Sequence, residues 1–241
     1  MTWPNCSGQG SGLNLSVSFW GLESFGTLEL TWLFNDRYTT GMARPRIVEL
    51  DEVIVSAMAC FRERGYDATS VRDLELATGL KAPSIYKAFG SKAGLFEAAL
   101  DRYRSDVVDR RVDEHLRPEL GIAGIRSFFT STYTVEPLPT HGCLLTNSVI
   151  EFPAIEQDAK RKVTQGLGTI REALSAQLRS AQAAGEVADT VNIGSVADML
   201  LVLYEGMLTL ARTGRSMTLD FDRTIDATLQ LLFNPTRQGA S

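Results

Sequence analysis

Within seven consecutive positions the chain gathers Lys81, Ala82, Pro83, Ser84, Tyr86 and Lys87. Thr69 and Ser70 lie shortly before them, Lys92 shortly after, and Arg44 and Arg46 further upstream. Ammonium and guanidinium groups neutralise phosphate, and phenol and hydroxyl groups donate to its oxygens. Small apolar surfaces fit thymine methyls. Residues of these kinds suit contact with a partner rather than bond breaking. His141, Gly142 and Cys143 supply a base and a nucleophile. However, neighbours in the chain rarely reach attack geometry, and no orienting acid accompanies them. No phosphate-cradling glycine loop or paired-carboxylate signature is evident. A cysteine-dependent enzyme and a helical protein-binding scaffold therefore stand only as rival classes.

Cys6, Cys60 and Cys143 are far apart, without a CxxC pair, and the histidines are His115 and His141. No metal and no cofactor is implied. Sparse cysteine and the lack of a secretory signature favour a reducing cytoplasm, and no uninterrupted apolar run suggests a membrane span. Net charge is -5 over 241 residues, unevenly spread. Residues 1–41 hold one Arg against three acids, residues 42–92 eight Lys and Arg against seven, and residues 93–241 fifteen against nineteen. An acidic body does not preclude DNA binding, which depends on local basic clusters.

The elements that must position these groups read as helices. Residues 1–41 are Gly-, Ser- and Thr-rich without helical periodicity. They are expected to be disordered, or to reflect an upstream start assignment ahead of "MARPRIVELDEV"; a weakly alternating "LNLSVSF" is the competing, strand-like reading. Leu50, Ile54, Ala57 and Phe61 then mark the apolar stripe of a first helix, ended by Gly65. Ser70 and Asp73 form a capping box opening a helix over Val71 to Thr78, and Gly79 is its left-handed stop. Pro83 suits the first turn of the next helix, which ends at Phe89–Gly90. Ser91 caps a long helix running toward His115. Further helices are expected over Ile122 to Tyr133, Leu144 to Phe152, Ile155 to Ala184, Val191 to Thr213 and Phe221 to Phe233. The class is all-α.

Helix, short turn and a second helix decorated for contact is helix-turn-helix geometry. The stretches "FRERGYDATSVRDL", "ATGLKAPSIYKAFGSK" and "LFEAAL" resemble the amino-terminal domain of TetR family transcriptional regulators, and "HGCLLTNSVIE" further along is also reminiscent of them. The resemblance implies a three-helix DNA-binding domain over residues 42–92 and a larger helical domain for effector binding and dimerisation over residues 93–241. By position it carries DNA contact to Lys81, Ala82, Pro83, Ser84, Tyr86 and Lys87. Thr69, Ser70 and Lys92 are expected to hold phosphates, and Arg44 and Arg46 to form a minor-groove arm. Ile85, Phe89, Leu74 and Leu80 are core positions. Two departures stand out: Glu75 occupies a site that usually holds a small residue, and Lys81 replaces a hydroxyl cap.

The resemblance also implies a homodimeric repressor reading a pseudo-palindromic operator. Its interface would be formed by the last two helices, and it would be released by a small apolar effector. "IGSVADMLLVLYEGMLTLA" is apolar nearly all round, as a helix buried on two sides must be. Phe128, Phe129, Tyr133, Cys143, Ile150 and Phe152 are the candidate effector-binding residues. Cys143, near a helix start, is also the candidate sensor of oxidants or electrophiles.

Overall fold

The computed structural model describes residues 49–132, 141–213 and 219–233, and every regular element in them is helical. The all-α expectation holds. Helix α1 (Leu50–Arg64) buries Val53, Ala57, Met58, Cys60 and Phe61. Of the expected stripe Ala57 and Phe61 are buried, but Ile54 is half-buried and Leu50 exposed, the buried face running through Val53 instead. Gly65 ends it at φ 88°, and α2 (Val71–Thr78) follows. The Ser70 side chain accepts from the Asp73 N–H while Asp73 accepts from the Ser70 N–H, so the capping box is complete. Gly79 at φ 72° stops α2 in the left-handed region, and α3 (Ala82–Phe89) begins with Pro83 in its first turn.

Ser91 caps α4 (Lys92–Tyr103) by accepting from the Gly94 N–H. The expected single long helix is instead compound. A π-helical stretch, Arg104–Asp109, joins α4 to α5 (Arg110–His115). The body continues with α6 (Gly121–Thr130), α7 (Leu144–Ile150), α8 (Gln157–Ala183), α9 (Ile193–Ala211) and α10 (Phe221–Phe233).

Helix α4 packs against α1 and α3 on one side and against α8 on the other. Phe61 on α1 meets Phe96 on α4 edge to face, centroids 4.9 Å apart, and Tyr66 lies 4.7 Å from Phe96. This aromatic triangle ties the first three helices to the body, and full burial of each phenylalanine contributes about 1.5–3 kcal/mol. Helix α8 carries α6 and α9, and α10 lies on α6. By length and composition α9 could cross a bilayer, which the sequence reading did not expect. It instead buries Val196, Ala197, Leu200, Tyr204, Met207 and Leu208 against the rest of the chain.

Candidate nucleic-acid interface

Helix α3 has two faces of opposite character. Ile85 is fully buried, while Lys81, Pro83, Ser84, Tyr86 and Lys87 are exposed and Ala82 is half-buried. Tyr86 is 45% exposed, which leaves its ring edge and hydroxyl open to a partner. Leu74 from α2 is fully buried and Phe89 packs against the same core, so α3 is anchored from beneath and open on top. The six positions expected to contact DNA thus come together on one rigid, accessible surface.

The N-terminus of α3 explains both departures noted in the sequence. Lys81 makes no side-chain cap. The Glu75 carboxylate reaches across from α2 and accepts from the Ala82 N–H at 2.7 Å. A carboxylate at a helix N-terminus satisfies an otherwise unpaired donor and complements the helix dipole. The unusual acid therefore replaces the missing hydroxyl, a link invisible to a position-by-position reading because it spans two helices.

The phosphate-holding residues fare differently. Thr69 is fully buried, and its hydroxyl donates to the Gly65 carbonyl at 2.5 Å, so its side chain faces inward and cannot meet a phosphate. Ser70 is exposed, but its hydroxyl donates to Asp73 at 2.5 Å. Asp73 itself is held below its usual carboxylate range, chiefly by the Ser70 hydroxyl and then by the Ser70 N–H, with Arg64 adding to it. The α2 N-terminus thus already carries its own anion. Lys92 sits 4.4 Å over the Tyr66 ring, with Nζ 3.5 Å from the Asp67 carbonyl, and partial burial lowers its pKa. Its ammonium is held against the edge of the helix-turn-helix. Arg44 and Arg46 lie outside the described residues.

The model for bacterial regulatory proteins of the tetR family matches residues 53–99, and a tetracyclin repressor-like C-terminal domain matches residues 121–226. The HTH-type transcriptional repressor ComR of Escherichia coli K12 is 30% identical over 182 residues, covering 72% of this chain and 84% of that protein. The chain belongs to the TetR family. It is a DNA-binding transcriptional regulator, and its relatives are regulators rather than enzymes. A TetR regulator from Rhodobacter sphaeroides superposes with a TM-score of 0.67 at 23% identity, covering 76% of this chain and 98% of that one. A cysteine variant of CifR, bound to a 26-base-pair operator duplex, superposes with a TM-score of 0.64 at 23% identity, covering 79% and 100%. These likenesses show the TetR fold.

In the body, the described members of the expected effector set fall into buried and exposed groups. Phe128 and Phe129 are buried against Tyr204, with centroids 4.9 and 5.7 Å from its ring. The Arg111 guanidinium lies 4.9 Å from the Phe128 ring and donates to the Tyr204 hydroxyl at 2.8 Å, to the Phe128 carbonyl at 2.9 Å and to Ser131. Burial pushes the Tyr204 phenol well above its ordinary range. Cys143 is buried, 5% exposed. Ile150 and Phe152, by contrast, lie at the far end of α7 and are 63% and 36% exposed, because α7 ends there and turns outward. Tyr133 lies outside the described residues. Arg111 was missed by the sequence reading, since a single arginine in a charged stretch gives no sign of the aromatic rings it will meet. Among the described residues no His, Cys, Asp and Glu cluster gathers that could hold a metal.

Proposed function

We propose that this TetR family member is a cytoplasmic homodimeric repressor. Paired α3 helices read a pseudo-palindromic operator, and a small molecule bound in the body lowers operator affinity. The division into a DNA-binding unit over residues 42–92 and an effector and dimer unit beyond it belongs to the same proposal. One observation carries it: α3 holds its lysines, serine and tyrosine outward on a buried Ile85 anchor. ComR, the E. coli relative, is a repressor, and the CifR variant holds operator DNA.

A single helix-turn-helix gives too few contacts for specificity, which favours two recognition helices about 34 Å apart. Helices α9 and α10 supply a surface for pairing. Met199 and Val202 on α9 are 55% and 72% exposed, Gly206 follows on the same stripe, and Leu231 on α10 is also exposed. Exposed apolar residues at helical spacing, interrupted by a glycine that lets backbones approach, suit helix-on-helix association. Binding of an effector need shift the conformational balance by only about 1–3 kcal/mol to release DNA. We favour an effector over oxidation at Cys143, because that thiol is only 5% exposed.

The test is a binding series on the duplex that the protein selects from a random-sequence pool, with the mass of the free protein measured by light scattering. The expected mass is that of two chains. Operator affinity falls steeply with salt, and Lys87→Ala reduces the slope of log K against log salt by about 1. Tyr86→Ala weakens binding without unfolding the protein. A protein that selects no duplex, or binds all duplexes equally with both variants unaltered, overturns the reading.

A further inference from the structure

The sequence stretch "HGCLLTNSVIE", residues 141–151, is not used by the DNA-contacting face, yet Asn147 and Glu151 within it bond to the end of α1 and to the turn that follows it. Glu151 accepts from the Tyr66 N–H at 2.7 Å and from the Asp67 N–H at 3.2 Å, so one carboxylate grips two successive amides of the α1–α2 turn. Asn147, only 5% exposed, donates to the Arg62 carbonyl at 3.0 Å and to the His141 carbonyl at 2.9 Å. Its own carbonyl accepts from Arg212, just beyond α9, at 2.8 Å. Arg62 completes the circuit by donating to the Gly142 carbonyl at 2.6 Å.

Two glycines show that the approach is built in. Gly65 has φ +88°, and a Cβ there would stand 2.5 Å from the Glu151 carboxylate. Gly142 has φ +68°, and a Cβ there would stand 2.9 Å from the Arg212 side chain. At both positions a side chain would be strained by the backbone and would collide with a member of the circuit.

We infer that Asn147 and Glu151 are positioning residues for operator reading, holding the α1–α2 turn so that α3 meets DNA at a fixed angle to the body. The inference rests on the paired-helix reading above. Leu74 and Ile85 pack α2 and α3 into one core with α1, so a grip on the turn before α2 orients α3 as well. The chain of contacts runs from Arg212 through Asn147 to Arg62, and so links the end of α9, the proposed dimer helix, to α1. In such an arrangement the angle between body and DNA-binding helices sets the separation of the two recognition helices. Fixing that angle fixes which half-site spacing is accepted.

Glu151→Ala, Glu151→Gln and Asn147→Ala are compared with wild type on the duplex selected by the wild-type protein. The same duplex with one or two base pairs added or removed at its centre, and a single half-site, complete the set. Wild type discriminates between spacings. Glu151→Ala and Asn147→Ala lose at least about fivefold of that discrimination, with half-site affinity unchanged. Glu151→Gln, which keeps one acceptor oxygen, loses less. Circular dichroism identifies any variant that fails to fold, and Glu151, being half-buried, carries the test if the Asn147 variant does not fold. A folded variant with the full spacing preference of wild type overturns the inference. A wild-type protein indifferent to spacing overturns the paired-helix reading, and the clamp with it.

Discussion

Helix α3 and the aromatic cluster of the body are built from similar residues and turn them in opposite directions. On α3 and at its N-cap, a tyrosine and two lysines stand in solvent above a single buried isoleucine. In the body, Tyr204 and Arg111 face inward, stacked with Phe128 and joined by a hydrogen bond. A half-buried cation needs its inward-facing donors matched, and the Tyr204 hydroxyl, Ser131 and the Phe128 carbonyl provide the partners. An exposed cation needs none, because water hydrates it. Side-chain type therefore does not tell contact from core; the helix face does.

Breaking the buried half of the DNA-binding unit gives the largest expected effect. Phe61→Ala removes a fully buried ring that touches both Phe96 and Tyr66. The expected cost is about 3–5 kcal/mol, seen as a much lower melting temperature and loss of operator binding together. Lys87→Ala, on the exposed half, is expected to weaken binding with the melting temperature unchanged. If Phe61→Ala lost DNA binding but melted like wild type, the division between anchor and contact faces would be wrong.

A smaller effect sharpens the boundary between those faces. Glu75→Ala leaves the Ala82 N–H without its carboxylate and costs about 1 kcal/mol by thermal or denaturant unfolding. Glu75→Gln keeps an acceptor and is expected to restore most of the loss. A Glu75→Ala protein as stable as wild type would show that the α3 N-terminus needs no partner from α2.

The helix-turn-helix was legible because its determinants are close in sequence. The Ser70–Asp73 box spans three residues, Gly79 stops α2 from the adjacent position, and the alternation of Ile85 with its exposed neighbours follows helical period. Even its hidden device, Glu75 with Ala82, bridges only seven residues. The body is different. Arg111 and Tyr204 are 93 residues apart, Asn147 and Arg62 85, and Arg126 pairs with Asp226 across 100. Periodicity places such residues on helices but cannot say which helices meet. Thr69 differs for a local reason: a hydroxyl beside a helix N-terminus reads as a phosphate contact, yet its proton bonds back to the Gly65 carbonyl and the side chain is buried.

The smallest effect concerns Glu205, where the body's rule of matched partners is broken. Its Oε2 accepts from the Thr146 hydroxyl at 2.6 Å, but Oε1 is buried with no hydrogen-bond partner among the described residues. Burial raises its pKa above the usual glutamate value, with the Thr146 hydrogen bond acting the other way. A carboxyl whose folded pKa exceeds its unfolded one binds its proton more tightly in the folded chain. Its favourable contribution is full below the unfolded value of about 4.3 and is lost as pH rises through the folded value. Glu205→Gln cannot ionise, so wild type and variant differ by a constant at low pH. As pH rises toward neutrality the variant gains on wild type by up to about 1 kcal/mol and then levels off. Melting curves of both proteins across that range check this. A difference that stays flat would mean that the unpartnered oxygen is solvated, and that α9 opens to water on the side facing α7.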